Sequence, residues 1–313
     1  MIAFVFPGQG SQKVGMGRSL AEAFPEARAA FDEAEVALPG LTRVIFEGPD
    51  SELVLTENAQ PAILTMSIAA QRVLAAHGIE PAFVAGHSLG EYSANVAAGT
   101  LRFGDAVRTV RKRGQYMQEA VPVGAGSMAA ILGLDAEAVA RACEEAAQGE
   151  VVSPANINGA GQVVIAGAAA AVQRAGERAK ALGAKRVILL AVSAPFHCAL
   201  LKPAEDRLEP ELRNLSVEDP RVPVVANVDG EPKRDAAAAI DALVRQVSAP
   251  VRWEAVVRRL ASEGVTNYVE VGPGTVLSGL VKKIHKEASV SNFAGPDDLA
   301  SLQETLRIQP RHV

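Results

Sequence analysis

Phe83-Val84-Ala85-Gly86-His87-Ser88-Leu89-Gly90-Glu91 runs from an apolar strand pattern, through a Gly-x-Ser-x-Gly turn, into a helical pattern. This order is typical of a sharp strand–turn–helix crossing that presents a serine hydroxyl. A Cβ atom at Gly86 or Gly90 would crowd that crossing. The helix N-terminus directs free backbone N–H groups towards any oxyanion formed beside Ser88. The pattern therefore favours Ser88 as a nucleophile over an ordinary glycine turn that happens to contain a serine.

The composition is that of a soluble globular protein, with 49% hydrophobic and 21% charged residues among 313. A net charge of −5 argues against a nucleic-acid-binding protein. Cys143 and Cys198 fit neither a disulfide framework nor a metal-binding pattern. No apolar run approaches the ~18 residues of a membrane span, and the apolar start at residues 1–6 is too short for a signal peptide. We therefore expect a cytoplasmic protein without metal, membrane or nucleic-acid binding.

Alternating strand and helix patterns predict a parallel sheet. Residues 2–6 form a continuous apolar run, typical of a strand buried on both faces. Helical patterns at 20–38 and 59–77 separate this strand from the one at 83–85, and a further strand is predicted at 222–228. The fold class is therefore α/β, with a mostly parallel sheet.

A glycine loop, Pro7-Gly8-Gln9-Gly10-Ser11-Gln12, follows the first strand. Its spacing fits neither a dinucleotide-binding loop nor a phosphate-binding P-loop. It is either a simple strand–helix turn or a flexible segment that brings backbone N–H groups near Ser88.

The segment 124–192 has its own order of elements, β-α-β-β-α-β, which is the split unit of ferredoxin-like domains. Its strand patterns lie at 127–132, 151–157, 162–166 and 185–192, and its helical patterns lie at 136–147 and 168–182. We predict that 124–192 is a small inserted subdomain. The large domain is then discontinuous and consists of residues 1–123 and 193–313.

A serine hydroxyl needs a base to accept its proton. Three of the five histidines lie at helix ends or in the C-terminal tail: His77, His285 and His312. His87 adjoins Ser88, but successive side chains near a strand end diverge, so we expect His87 to brace the turn or line the pocket. His197 follows a strand pattern and lies at the edge where open α/β sheets bind ligands. It is the predicted base.

Two residue choices stay open at this point. The acceptor that orients His197 is Glu205, Asp206 or a backbone carbonyl. On the amphipathic helix predicted at 105–120, Arg111 and Arg113 both lie at the margin of the apolar stripe, where one of them could reach into a pocket.

Five motifs occur together between residue 4 and about residue 280: Phe6-Pro7-Gly8-Gln9-Gly10-Ser11-Gln12, Gly86-His87-Ser88-Leu89-Gly90-Glu91, Ala155-Asn156-Ile157-Asn158 with Gly161-Gln162-Val163-Val164-Ile165-Ala166-Gly167, Ala194-Pro195-Phe196-His197, and Glu270-Val271-Gly272-Pro273-Gly274. In this order and spacing the chain resembles the malonyl-CoA:acyl carrier protein transacylases of type II fatty acid synthesis. The resemblance implies a hydrolase-like α/β core with a ferredoxin-like insert.

The resemblance also implies roles for individual residues. Ser88 would be the nucleophile that accepts the acyl group, and His197 its base. The main-chain carbonyl of Gln246 would orient His197. The backbone N–H groups of Gln9 and Leu89 would form the oxyanion hole.

Of the two arginines, the resemblance selects Arg113 as the partner of the malonyl carboxylate, since a guanidinium binds a carboxylate through a bidentate fork. Met117, His87, Asn158 and Phe196 would also contact the substrate. Phe196 would crowd the acyl α-carbon and disfavour a methyl branch there. Many close relatives carry serine at this position, whereas the phenylalanine found here resembles the residue of synthase-type acyltransferase domains. A polyketide pathway therefore stays an alternative.

The implied reaction moves malonyl from malonyl-CoA to Ser88, releases CoA, and passes malonyl to the phosphopantetheine thiol of acyl carrier protein. No bound cofactor is implied, and we expect a monomer. Carrier proteins are acidic, so a basic docking surface is expected, with candidates at Lys185, Arg186, Lys282, Lys283 and Lys286.

Two other functions stay open as alternatives to malonyl transfer. One is a serine hydrolase such as a thioesterase, and the other is a non-catalytic carrier-binding module.

Overall fold

Two β-sheets organise the computed structural model, which describes residues 1–306. The strands are β1 (Ile2–Phe6), β2 (Phe83–Gly86), β3 (Gly126–Leu132), β4 (Val152–Gly159), β5 (Gln162–Ala168), β6 (Arg186–Leu189), β7 (Val224–Val225), β8 (Pro232–Lys233), β9 (Asn267–Val271) and β10 (Ser289–Phe293). The predicted tail histidine, His312, and the end of the predicted large domain lie outside the described residues.

Fourteen α-helices connect and cover these strands in the described part of the chain. They are α1 (Arg18–Ala23), α2 (Pro25–Ala37), α3 (Leu41–Glu47), α4 (Asp50–Leu53), α5 (Thr56–Ala76), α6 (Gly90–Ala97), α7 (Phe103–Ala120), α8 (Ala136–Ala146), α9 (Ala169–Ala181), α10 (Lys202–Arg213), α11 (Ala236–Gln246), α12 (Trp253–Ser262), α13 (Val276–Ile284) and α14 (Asp298–Leu306). None of the helices described here is long and apolar enough to cross a membrane.

The large sheet has the strand order β10-β9-β1-β2-β7-β8. All neighbouring strands run parallel except β7 and β8. In the register of β1 and β2, Phe6 lies opposite Gly86, so the glycine loop after β1 and the turn after β2 leave the sheet side by side. The prediction of an α/β core with a mostly parallel sheet is confirmed.

The small sheet is antiparallel, with the order β4-β5-β3-β6, which is the ferredoxin-like arrangement. The helices α8 and α9 pack on one face through a core that includes Ile131 and Val172. On the other face, Met128 and Val164 belong to a cluster against which Phe196 packs, and Phe196 lies in the loop that follows β6. The ferredoxin-like insert is thereby confirmed as a fold, whereas the domain boundaries at 124 and 192 stay a prediction.

The crossing around Ser88 is as tight as the two glycines suggested. A Cβ atom on Gly86 would lie 1.9 Å from the carbonyl carbon of Gly90, and one on Gly90 would lie 2.0 Å from the carbonyl oxygen of Phe6. Ser88 itself has φ 52°, a left-handed conformation that few non-glycine residues adopt. The turn therefore holds the serine in a strained backbone, which is common at functional sites.

Three element predictions were wrong in detail. The predicted helix at 20–38 is two helices, because Phe24 takes an extended backbone ahead of Pro25. The predicted strand at 222–228 shrinks to Val224–Val225. The predicted strand at 185–192 ends at Leu189, after which the N–H of Val192 donates to the carbonyl of Leu190 in a turn.

Candidate active site

Ser88 and His197 lie together although 109 positions separate them in the chain. The Oγ atom of Ser88 is 2.6 Å from Nε2 of His197. His197 sits in the loop after β6 and, like Ser88, has a left-handed backbone, with φ 60°. Two strained residues from separate loops thus meet in one hydrogen bond, which is the contact that a nucleophile and its base require.

The second nitrogen of His197 has a backbone partner. Its Nδ1 lies 2.9 Å from the main-chain carbonyl oxygen of Gln246, at the end of α11. Because a carbonyl only accepts, Nδ1 carries the proton and Nε2 presents its lone pair to Ser88. The two acidic candidates are engaged elsewhere: Glu205 binds Ser248 and Lys202, and Asp206 lies 3.1 Å from Lys202. Of the three choices left open, the structure thus provides the carbonyl.

The surroundings of His197 keep its imidazole neutral. Burial, followed by the positive charge of Arg113, lowers the pKa of His197 to about 3. A neutral imidazole is the form that can accept a proton from Ser88. The same arrangement therefore selects the base form of His197 at physiological pH.

Arg113 is buried on α7 and points at the nucleophile. Its Nη1 donates to Oε1 of Gln60 at 2.8 Å, and its Nη2 donates to Oε1 of Gln246 at 2.9 Å and to Oγ of Ser88 at 3.3 Å. The guanidinium also lies over the ring of Tyr92, 5.3 Å from its centroid. All of these partners are uncharged, so the cation is held in place without being neutralised.

The charge of Arg113 has no ion-pair partner within residues 1–306, whereas its neighbours Arg111 and Lys112 each bind a glutamate. Its Nε–H likewise finds no acceptor among the described residues. Burial lowers the pKa of Arg113. An arginine nevertheless stays protonated in proteins, so a buried cation with an unused donor is available to an incoming anion.

Arg111, the other arginine at the helix margin, points away from the site. It donates to the carbonyl oxygen of Glu57 and to Oδ1 of Asn58, on the first turn of α5. Between the two candidates, the structure places only Arg113 against Ser88.

A cavity of about 340 Å³ opens above Ser88 between the two sheets. Eight of the predicted site residues line it: Gln9, His87, Ser88, Arg113, Met117, Asn158, Phe196 and His197. Leu89 and the side chain of Gln246 lie behind its wall and are buried. The cavity wall also includes exposed apolar residues, among them Val54 and Val192.

His87 and Asn158 join the two sheets at the edge of the cavity. The Nε2 atom of His87 lies 2.9 Å from Oδ1 of Asn158, which comes from β4. Burial lowers the pKa of His87, against the opposite effect of the hydrogen bond that its Nε2 donates to Asn158, and its ring packs against Trp253. We expected His87 either to brace the turn or to line the pocket. It lines the pocket, and its contacts with Asn158 and Trp253 also hold the turn in place.

Phe196 and Met117 form the apolar part of the wall. Phe196 is half-buried and packs against both the main core and the cavity face of the small sheet. Met117 is buried one helical turn after Arg113, where its sulfur accepts from Nε2 of Gln60 at 3.8 Å. These side chains limit the space beside Ser88, whereas their contact with substrate stays a prediction.

The backbone N–H groups near Ser88 differ in their use. The N–H of Ser88 donates to Oδ1 of Asn227 at 2.8 Å. Within residues 1–306, neither the N–H of Gln9 nor that of Leu89 donates to a protein acceptor. These two donors are therefore free to bind an oxyanion, which supports the predicted role without testing it.

Sequence reasoning missed three buried polar residues that support the site: Gln60, Asn227 and the carboxylate of Glu91. Asn227 accepts from Ser88 and donates to the carbonyl of Gly86 at 2.7 Å, so it ties the turn to β7. A polar residue inside an otherwise apolar run was the available signal for Gln60 and Asn227.

The comparisons with known proteins agree with this arrangement. Residues 3–308 match the family model described as the acyl transferase domain. The malonyl CoA-acyl carrier protein transacylase of Bacillus subtilis (strain 168) is 50% identical over 308 residues, covering 98% of this chain and 97% of that protein. An acyl carrier protein S-malonyltransferase from Vibrio cholerae superposes with a TM-score of 0.94 and 48% identity, over 96% of this chain and 99% of that one.

A second solved structure is described as a type II PKS acyl-carrier protein in complex with its malonyl-transacylase. It also has a TM-score of 0.94 and 48% identity, over 97% of this chain and 99% of that chain. The match to the family model extends through both sheets, from β1 to the last described helix. With the paired serine and histidine in the cavity between those sheets, this chain belongs to the acyl transferase domain family.

Proposed function

We propose that this enzyme transfers the malonyl group of malonyl-CoA to the phosphopantetheine thiol of acyl carrier protein, in fatty acid biosynthesis. The observation that carries the proposal is the buried guanidinium of Arg113, 3.3 Å from Oγ of Ser88 and without an ion-pair partner within residues 1–306. A carboxylate at the far end of the acyl group supplies that partner. The relatives' names, malonyl CoA-acyl carrier protein transacylase, support the same substrate.

The first half-reaction forms an ester on Ser88. As Oγ of Ser88 attacks the thioester carbonyl, Nε2 of His197 takes its proton and CoA leaves as the thiol. The carbonyl of Gln246 holds the imidazole in the required tautomer and stabilises the imidazolium that forms. The N–H groups of Gln9 and Leu89 are the proposed donors to the developing oxyanion.

The second half-reaction reverses these steps with another thiol. His197 takes the proton of the phosphopantetheine thiol, which attacks the ester carbonyl and releases Ser88. A carrier-protein partner is supported by the solved complex of a similar malonyl-transacylase with an acyl-carrier protein. That complex belongs to a type II PKS, so a polyketide pathway stays the second candidate, and Phe196 at the pocket is the feature of this chain that favours it.

The remaining proposals concern the protein as a whole. We propose a cytoplasmic monomer with a large domain, 1–123 and 193–313, around a small subdomain, 124–192. The residues of the cavity supply a nucleophile, a base and an anion site from the chain itself, so we propose that catalysis needs no bound cofactor beyond the two thiol-bearing substrates.

The test is to incubate the protein with malonyl-CoA and to weigh it by mass spectrometry, with and without holo acyl carrier protein. We expect one malonyl group per chain, localised to Ser88, which then moves to the carrier. Ser88→Ala should abolish the labelling. Cys198 serves as the matched alternative nucleophile: it is buried and its pKa is raised by burial to about 11, so labelling should survive Cys198→Ala.

Two results would reject the proposal. Rapid loss of malonyl to water, with no transfer to the carrier thiol, would identify a thioesterase-like hydrolase. Undiminished activity in cells of the Ser88→Ala variant would leave only a carrier-binding role.

A further inference from the structure

Glu91 is a buried carboxylate directly behind the active site, on the first turn of α6. Its Oε2 accepts from Nε2 of Gln246 at 2.7 Å and from the main-chain N–H of Asn227 at 3.1 Å. Its side chain does not line the cavity. Glu91 therefore reaches the site through other residues and does not touch the place where substrate binds.

The side-chain amide of Gln246 has only one workable orientation. Its Nε2 donates to Glu91 and also to the carbonyl oxygen of Ser88 at 2.9 Å, while its Oε1 accepts from Arg113 at 2.9 Å. A reversed amide would set an oxygen against the carboxylate of Glu91 and an NH₂ group against the guanidinium of Arg113. Both contacts would be repulsive, so Glu91 on one side and Arg113 on the other hold the amide in this orientation.

The orientation of this amide decides where the guanidinium of Arg113 lies. Two amide oxygens, those of Gln60 and Gln246, accept from the guanidinium, which also contacts the hydroxyl of Ser88 and the ring of Tyr92. The same residue, Gln246, orients His197 through its main-chain carbonyl. One residue thus holds both the anion site and the base, and its side chain is itself held by Glu91.

We propose that Glu91 is a positioning residue, which acts through the side chain of Gln246 to hold the guanidinium of Arg113 where it meets the malonyl carboxylate. This inference rests on the proposed malonyl transfer. Burial raises the pKa of Glu91 to about 7, against the hydrogen bonds from Gln246 and Asn227, which favour the ionised form. A buried carboxylate that accepts from both groups is the arrangement that such a role requires.

The test compares acylation of Ser88 by malonyl-CoA and by acetyl-CoA, which has no carboxylate. Glu91→Met removes the acceptor and should lower kcat/KM for malonyl-CoA by roughly 10- to 100-fold, with a smaller effect on acetyl-CoA. Glu91→Gln keeps an acceptor oxygen and should recover part of the loss. In an Arg113→Ala background, Glu91→Met should not change the malonyl-to-acetyl ratio further, because Glu91 acts on that ratio through Arg113.

Glu270 provides the matched control. It is also a buried glutamate with a raised pKa due to burial, and it binds the N–H groups of Leu277 and Ser278, away from the cavity. Glu270→Gln should lower the unfolding temperature and leave the malonyl-to-acetyl ratio unchanged. Circular dichroism and thermal unfolding of every variant separate lost stability from lost positioning.

The inference is overturned if Glu91→Met lowers kcat/KM for malonyl-CoA and for acetyl-CoA equally. It is also overturned if Glu91→Met still changes the malonyl-to-acetyl ratio in the Arg113→Ala background. If Glu91→Met does not fold, Glu91→Gln takes its place. The inference is then overturned if Glu91→Gln keeps the wild-type malonyl-to-acetyl ratio in an assay in which Arg113→Ala changes that ratio. The wild-type enzyme is the reference for the function itself: absence of malonyl on wild-type Ser88 would reject the proposed function, whereas normal wild-type labelling with unaffected Glu91 variants would reject only this inference.

Discussion

The Nη2 atom of Arg113 donates to the Oγ atom of Ser88 across 3.3 Å, so a fixed cation lies directly beside the nucleophile. A carboxylate that binds this cation brings its own acyl group to the hydroxyl. A malonyl group has a single methylene carbon between its carboxylate and its thioester carbonyl, and this short spacing matches a site in which the anion partner and the nucleophile are 3.3 Å apart. The pair Arg113 and Ser88 therefore links substrate recognition with reactivity.

Arg113→Ala should lower kcat/KM for malonyl-CoA roughly 100-fold or more, because a desolvated charge pair is lost, and should raise the relative rate with acetyl-CoA. Arg113→Lys should recover little, since an ammonium keeps the charge but lacks the bidentate fork. Arg111→Ala is the matched control, because Arg111 lies on the same helix and binds Glu57 and Asn58 outside the cavity. Steady-state rates with both thioesters measure the effect, and an equal loss with both would argue against carboxylate recognition.

The sequence predicted the parts of this site that depend on local geometry. Gly86 and Gly90 indicated a crossing with no room for a Cβ, and the turn around Ser88 has that geometry. His197 was predicted by the rule that ligands bind at the carboxyl edge of an open α/β sheet; it does contact Ser88, although the strand before it, β6, belongs to the antiparallel small sheet, so the rule did not apply to it. Local patterns also predicted the ferredoxin-like order of the insert, because each of its strands and helices carries its own periodicity.

The parts that local patterns missed depend on long-range contacts. The acceptor for His197 is a main-chain carbonyl, which every residue has, so only the resemblance to a family singled out Gln246. Arg111 and Arg113 lie two positions apart with similar periodicity, and the neighbours contributed by α5 and α11 decide which of them faces Ser88. The supporting residues Gln60, Asn227 and Glu91 likewise gain their meaning from partners far along the chain.

The protonation of His197 should depend on the charge of Arg113. Burial and the nearby guanidinium lower the pKa of His197 to about 3, so its imidazole should stay neutral down to about pH 4 in the free enzyme. Arg113→Gln removes the cation and should shift the titration of His197 to higher pH. The other titratable group facing it is His87, whose pKa is lowered by burial.

NMR titration of the His197 ring carbons measures this shift directly, in the wild type, in Arg113→Gln and in the control Arg111→Gln. The control should titrate as the wild type does. A wild-type pKa near the ordinary value of about 6.5 would show that the cation and the buried site do not act as described.

Phe196→Ser should widen the pocket beside the acyl α-carbon and increase the use of methylmalonyl-CoA several-fold relative to malonyl-CoA. Phe196 is half-buried between two cores, so its removal should also lower the unfolding temperature. Competition between the two thioesters for acylation of Ser88, followed by mass spectrometry, gives the ratio independently of total activity. An unchanged ratio would place the selectivity elsewhere in the cavity wall, with Met117 as the next residue to vary.

Docking of the carrier protein should depend on exposed lysines near one cleft. Lys283 lines a cleft with Gly161, whose backbone adjoins Gly133, and the side chain of Lys185 packs against Gly133. The two predicted basic patches thus flank the same opening between the small sheet and α13. Because the whole enzyme carries a net charge of −5, an acidic carrier needs a local positive surface to overcome the overall repulsion.

Lys283→Glu and Lys185→Glu should therefore each raise KM for holo acyl carrier protein several-fold, and together more, while the rate of Ser88 malonylation by malonyl-CoA stays unchanged. Lys180→Glu is the matched control, since Lys180 is exposed on α9 in a different groove. The effect should shrink as salt is added, because exposed charges are screened. If KM for the carrier rises equally in all three variants, net charge and not this cleft governs the encounter, and the carrier docks on another face of the enzyme.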